Sequence, residues 1–358
     1  MEKIKDTKRC KTCGTPIFLK KEYQWRSNGT FGPGQTHHNY FIKYEEFNNL
    51  FYSIEERFGV SIGKIVAEAE KESAARYVDE ILSGLKGKII RNGFLMRMAL
   101  NRVTKSARIL GDGDIQITEL IYKKRMKATF KNVFYPPFMA GELAGAFQSM
   151  CRVPTNVKWE KIEEEIIATA WALEKEPELA KYVASSVKSI LPGDIIYERC
   201  QGCGVPKQIT DNFEWNLQAG IITNKKTGER WLISATISLG MIFGALEREL
   251  GKEIPRIIME IEKEYTKKIF LSQGLKGTEK DYRSLFDPKD FGIKGWGNPI
   301  EVTKKGKNLR VHIDNPFNEI LLAGRIAGMY EVIEKTEAKV QWTPSTEGYT
   351  IVTVTVKN

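Results

Sequence analysis

The sequence predicts an α/β (α+β) protein: two tandem copies of an antiparallel-sheet-plus-helices domain, arranged as a pseudo-twofold dimer, each with an N-terminal Cys-x-x-Cys-Gly knuckle. Three observations predict it. The stretch CKTCGTP, Cys10 to Pro16, returns as CQGCGVP, Cys200 to Pro206, 190 residues on. Further anchors recur in the same order, with length changes confined to the segments between them. Within each copy, helical periodicity alternates with period-two strands joined by turn residues, which places helices on hairpin-connected strands.

The elements follow in chain order. The knuckle register of 190 persists through Trp25 and Trp215. After the second knuckle, GIITNKKTGERWLIS reads as a hairpin turning near Thr227-Gly228. Two amphipathic helices come next in each copy. LFYSIEERFGVSIGKIVAEAEK lies over IFGALERELGKEIPRIIMEIEK at a register of 192, placing Phe51 on Phe243, Gly59 on Gly251, Ile62 on Ile254 and Glu68 on Glu260. The apolar face of the second helix is Ile62, Ile65, Val66, Ala69, Tyr77 and Ile81 in one copy; in the other it is Ile254, Ile257, Ile258, Ile261, Tyr265 and Ile269.

GLKG recurs at Gly84 and Gly274. KNVFYPPFMAGELAGAF then matches DNPFNEILLAGRIAGMY at a register of 183, aligning Asn132 with Asn315, Phe134 with Phe317, Gly141 with Gly324 and Gly145 with Gly328; Trp159 and Trp342 continue it. This Gly-x-x-x-Gly element reads as a third helix. Strands flank it: LRVHID before, KVQWTP and YTIVTVTV after, with Val352, Val354 and Val356 on one face. The first repeat spans 8–174 and the second 198–358. Between them, residues 175–197 read as a connecting helix ended near Pro192-Gly193.

Composition bounds the function. The chain has 358 residues, enough for two ordinary domains, and its 42% hydrophobic content is enough for real cores. Fifty-five Lys and Arg against 45 Asp and Glu give +10, with both signs interleaved along most of the chain. The longest apolar run, Ile166 to Leu173, is less than half of the ~18 residues that a membrane span requires. The charged start MEKIKDTKRC has no signal-peptide core, so a cytoplasmic, reducing location is expected, with thiols available for metal.

One knuckle is half a metal site. Its glycine relieves a tight turn that sets two thiolates on one side, but structural zinc takes four ligands. Neither copy offers a second pair: Cys151 stands alone, and the histidines are His37, His38 and His312. If the copies pack about a twofold axis, the knuckles meet and Cys10, Cys13, Cys200 and Cys203 make one closed four-cysteine site for zinc, or for iron in the same ligand set. Such a site is architectural and not catalytic. Paired thiol turns without metal and a redox role are the alternatives; His37 and His38 read as solvated loop residues, and Cys151 as a buried thiol.

The glycine helix poses a second question. Gly141 and Gly145, like Gly324 and Gly328, lie one turn apart on one face, so something approaches closely there. Helix-to-sheet packing is the plain expectation. A slot for a flat or acyl-like ligand is the sharper one, bounded by Phe134, Phe147, Trp159, Trp296, Tyr330 and Trp342.

The late part of each copy, FYPPFMAGELAGAFQSM followed by VKW and PFNEILLAGRIAGMYEVI followed by KVQWTPSTEGYTIVTVTV, resembles the 4-vinyl reductase domain family, which is similar in fold to the transport-particle Bet subunits. The resemblance covers roughly 45 to 60 residues of each copy. It implies a pocket beneath the helices for a hydrophobic or aromatic molecule, and pairing of two such domains. Regulator members carry a cysteine-rich metal site inside the domain; here that stretch offers Cys151 alone, and copy two has Glu331 to Glu334 without cysteine, so metal-linked sensing does not carry over.

The expected function is therefore a binding module for a small hydrophobic or aromatic molecule, a sensor, carrier or accessory factor. A monomer is expected, because the repeat replaces a homodimer. Two alternatives stay open. A tetrapyrrole- or hydrocarbon-related enzyme or accessory reductase follows from the family name, although no dinucleotide fingerprint, P-loop, Gly-x-Ser-x-Gly elbow or His-x-x-x-His pair is present. Nucleic-acid binding follows from the net charge and the basic turns Tyr122 to Lys127 and Thr303 to Arg310.

Overall fold

The computed structural model describes residues 8–81, 93–175 and 189–357. Each copy contributes three strands to a shared central sheet. From the first come β1 (Gln24–Trp25), β2 (Phe31–Gly32) and β3 (Asn39–Lys43); from the second, β8 (Phe213–Asn216), β9 (Ile221–Asn224) and β10 (Arg230–Ala235). The order is β1-β2-β3-β10-β9-β8, so the copies join through β3 and β10. Their antiparallel register is self-complementary. Phe41 faces Ile233, its own counterpart 192 residues on; Asn39 faces Ala235 and Lys43 faces Trp231, which are the counterparts of Lys43 and Asn39. A pairing in which each residue meets the image of its symmetry partner is the signature of a twofold axis.

Two four-stranded antiparallel sheets flank the centre. In copy one they are β4 (Asp114–Ile121), β5 (Arg125–Lys131), β6 (Thr155–Ile162) and β7 (Glu165–Ala172), ordered β4-β5-β7-β6. Copy two repeats the order with β11 (Asn298–Lys305), β12 (Asn308–Asp314), β14 (Tyr349–Val356) and β13 (Ala338–Trp342). The β9–β10 hairpin turns through Gly228 at φ +72°, as the sequence predicts. The bends repeat as well. Left-handed residues at Lys123, Asn132 and Arg152 recur at Gly306, Asn315 and Lys335, all at the register of 183.

The helices of copy one are α1 (Ile17–Glu22), α2 (Tyr44–Phe58), α3 (Gly63–Ile81), α4 (Gly93–Leu110) and α5 (Pro136–Cys151). Those of copy two are α6 (Lys207–Asn212), α7 (Thr236–Leu250), α8 (Ile254–Ile269), α9 (Glu279–Leu285), α10 (Pro288–Ile293) and α11 (Glu319–Glu334). Where copy one has the long α4, copy two has two short helices; the repeat resumes after them, with Gly111 and Gly113 matched by Gly295 and Gly297 at a register of 184, all four at positive φ. Periodicity in the sequence assigns no helix to α4, whose apolar positions, Met96, Leu100 and Ala107 among them, pack into the core.

The helices also cross between copies. α3 packs on α5 of its own copy and on α7 of the other, while α8 packs on α11 and on α2. One apolar cluster therefore runs through both repeats, from Phe47 and Phe134 to Leu239 and Leu321. A second surrounds the knuckles, with Trp25, Phe31, Phe41, Trp215 and Ile233.

The predicted connecting helix over 175–197 lies mostly outside the described residues, as does the first GLKG. From 189 to 198 the chain runs without regular structure, bonded through Ile195 N–H to the Ser27 carbonyl and through Leu191 N–H to Asn315 Oδ1. No helix among the described residues is long and apolar enough to cross a membrane.

Candidate metal centre

Each knuckle is closed by its own backbone. Cys10 N–H donates to the Thr15 carbonyl and Gly14 N–H to the Cys10 carbonyl; Cys200 to Val205 and Gly204 to Cys200 repeat the pattern. The turn needs a left-handed residue after the second cysteine, and Gly14 (φ +75°) and Gly204 (φ +74°) supply it. Arginines then strap the knuckles across the axis. Arg9 donates to the carbonyls of Gly14 and Trp215, and Arg199 to those of Gly204 and Trp25. The two tryptophans reach back in turn, Trp25 Nε1 to the Ile293 carbonyl and Trp215 Nε1 to that of Ile109.

This bracing brings four thiols together, two from each copy. Cys10 Sγ lies 3.9 Å from Cys200 Sγ and Cys13 Sγ 3.6 Å from Cys203 Sγ, with all four within 4.8 Å of one another. None is in a disulfide. Four sulfurs at about 2.3 Å from one ion stand about 3.8 Å apart in a regular tetrahedron, so the four cysteines fit a metal ion. Cys10, Cys200 and Cys203 are buried and Cys13 is half-buried.

The environment splits the thiols. Burial works to raise Cys10, but amide donation from Cys13 and Thr12 outweighs it and draws the thiol down to about 6. The Cys203 amide, against burial, likewise lowers Cys200. Burial raises Cys13 and Cys203. Backbone dipoles thus favour the thiolate at Cys10 and Cys200, while burial disfavours it at Cys13 and Cys203.

Neither His37 nor His38 joins the four thiols. They are also not free in solvent, as the sequence suggested: His38 Nε2 lies 2.7 Å from the Gly295 carbonyl, and His37 lies 3.2 Å from Glu80 with its ring edge-on to Tyr77. Cys151 is a buried thiol, raised by that burial.

The glycine faces are filled, and by a helix where the sequence suggested a sheet. A Cβ on Gly141 would stand 2.6 Å from the Ala67 carbonyl and one on Gly145 2.3 Å from that of Lys71, both on α3. Gly324 and Gly328 meet α8 the same way, at the carbonyls of Met259 (2.6 Å) and Lys263 (2.7 Å). Helix backbones in such contact leave no slot between them.

The aromatics named for that slot disperse. Phe134 and Phe147 belong to the core, and Trp159 lies against Gly63. Tyr330 donates to the Lys307 carbonyl, and Trp342 is in β13. Trp296 donates to the Phe41 carbonyl and carries the Arg325 guanidinium 4.1 Å above its ring. The basic turns are exposed hairpin tips of β4–β5 and β11–β12, related by the repeat.

Sequence reasoning missed the charged residues around these helices. Arg325 is buried, donating to Glu262 (2.8 Å) and to Glu46 from the other copy. Burial and the neighbouring Glu46 carboxylate raise Glu262 while the guanidinium pulls it down. At the same register, copy one has Glu142 in place of Arg325. The signal was present in the repeat, as an arginine set opposite a glutamate beside a glycine pair that both copies carry. No family model and no curated protein matches the chain.

Proposed function

We propose that the chain is a small-molecule-binding module whose two copies are clamped by one structural zinc ion at Cys10, Cys13, Cys200 and Cys203. The observation that carries the clamp is the convergence of four thiols, two per copy, at separations that suit a single tetrahedral ion. Four protein ligands leave no open position for water or substrate, so the ion would supply a cross-link and no chemistry on a substrate. A divalent ion with four thiolates carries −2, and Arg9 and Arg199, each bonded to a knuckle carbonyl, stand beside it.

The resemblance of the late segments to the 4-vinyl reductase domain family supports the module, and the helix pairs of each copy are where that resemblance seeks a ligand. With the glycine slot closed, the hydrophobic ligand loses the site it was expected to use.

Elemental analysis of purified protein tests the clamp: one zinc per chain is expected, lost together with about 5 kcal/mol or more of stability in Cys200→Ser/Cys203→Ser. That is a fraction of the ~10–16 kcal/mol that zinc-finger peptides gain. Two ions per chain, or full metal retention in the double variant, would refute it. Visible absorption would reassign the ion to iron.

A further inference from the structure

The repeat gives every residue around Arg325 a counterpart in copy one, and the counterparts differ in charge. At a register of 183, Arg325 corresponds to Glu142 and Phe317 to Phe134; at 192, Glu262 corresponds to Glu70 and Glu46 to Ser238; at 184, Trp296 corresponds to Asp112. The helix contacts that carry them match. A Cβ on Gly324 would stand 2.7 Å from Glu262 Cβ, and one on Gly141 2.8 Å from Glu70 Cβ. In copy two a cation lies between two carboxylates and over the Trp296 ring. In copy one Glu142 stands at the position of that cation and Asp112 at that of its ring platform, beside Glu70.

Those carboxylates are poorly answered. Glu70 is 2% exposed; its Oε1 accepts from Ser238 at 3.2 Å, and its Oε2 has no partner. Ser238 is itself bonded to Ser73 at 2.9 Å. Asp112 is 5% exposed, and among the described residues neither the Asp112 nor the Glu142 carboxylate accepts a hydrogen bond. Among the described residues the cations nearby bond mainly to other groups, although Arg230 Nε has no partner. Lys71 is bonded to Glu68 and the Thr155 carbonyl, and Arg230 donates to the carbonyls of Gly111 and Asn132, stacks on Tyr44, and acts on Asp112 only at a distance. Burial raises all three acids, Glu142 to about 7, with Glu142 adding repulsion to the other two. Glu142 is half-buried, whereas Glu70 and Asp112 are buried.

We propose that copy one carries a ligand site for a small organic cation of the guanidinium or primary-amine class, held by Glu70, Asp112 and Glu142 where copy two holds the guanidinium of its own Arg325. The internal arginine shows what this scaffold stabilises: a delocalised cation between carboxylates on α2 and α8, with an aromatic face beside it. Copy one keeps the aromatic residue as Phe134 and supplies the acids from α3, α5 and the loop before β4. A buried cluster of this kind either holds its protons or takes up a cation. The proposal deepens the binding-module reading by giving it a site and a ligand class.

Calorimetric titration of the metal-loaded full chain with methylguanidinium and with agmatine at pH 8 tests it. One saturable site per chain is expected, with proton release visible as a buffer-dependent heat. Glu142→Gln and Asp112→Asn should each weaken it at least tenfold at unchanged zinc content and circular dichroism. Glu142→Arg should fill the site from within and abolish binding. No saturable binding, binding of Mg2+ or Ca2+ alone, or wild-type affinity in the Gln and Asn variants overturns the proposal. If Glu142→Arg does not fold, those two variants decide alone. Native mass spectrometry separates the readings: an uncharged small molecule retained by protein that ignores both cations sinks this site and leaves the module standing, whereas no retained molecule and no cation binding sink both.

Discussion

The helix pairs α3–α5 and α8–α11 have nearly the same backbone and opposite polarity. In both, glycines at the same two positions let the helices approach until carbonyls on one would touch a Cβ on the other. In the second pair the buried Arg325 guanidinium is matched by Glu262 and by Glu46 of α2; in the first, Glu142 repels Glu70 and Asp112 of the loop before β4. The close packing needs only the glycines, and glycine contacts say nothing about charge. Once the backbone geometry is secured by Gly141, Gly145, Gly324 and Gly328, the residues beside them are free to specialise, and they have done so in opposite directions.

Removing the cation from the matched pair is expected to have the largest effect. Arg325→Ala leaves Glu46 and Glu262 buried without their partner, which costs about 3–5 kcal/mol in denaturant unfolding. An effect below 1 kcal/mol would mean that the two pairs do not differ energetically. The next test is pH. Glu142 is raised from 4.5 to about 7, so the folded chain binds its proton more tightly than the unfolded chain does. Its contribution to stability is fully present below about 4.5 and declines as pH rises toward 7, by on the order of 3 kcal/mol at about 1.4 kcal/mol per unit. Glu70 and Asp112 shift the same way and steepen the fall. Glu142→Gln should flatten this slope, and a slope unchanged in the variant would remove Glu142 from the cluster.

The smallest effect concerns what the two pairs share. Gly145→Ala and Gly328→Ala should each destabilise by about 1–3 kcal/mol through overpacking, although alanine is the better helix former by ~1 kcal/mol. The tighter contact at Gly145 makes it the costlier of the two. If either substitution stabilises the protein, the close approach is not what the glycines are for.

Much of this was legible in the chain because it is local. The knuckles, the glycine helices, the β9–β10 hairpin and Val352 and Val354 on the buried face of β14 are set by spacing within a few residues. What was not legible is where elements cross between copies. Nothing in the letters around Ser238 says that α7 lies on α3, so its bond to Glu70 could not be anticipated; the same holds for Glu46 reaching Arg325. The convergence of the four cysteines could be foreseen for a specific reason: half of a tetrahedron implies its other half. A glycine face implies only a close neighbour, and α3 fills that role as well as a ligand would.

The self-complementary pairing of β3 with β10 also bears on how the chain is made. At about 5–20 residues per second, β3 leaves the ribosome roughly 10–40 seconds before β10 exists. During that interval the side of β3 that β10 will cover is unpaired and, through the twofold, close to complementary in register to a second nascent β3. Polysomes translating this message hold several such unpaired edges side by side, which is the circumstance in which strands are exchanged between chains.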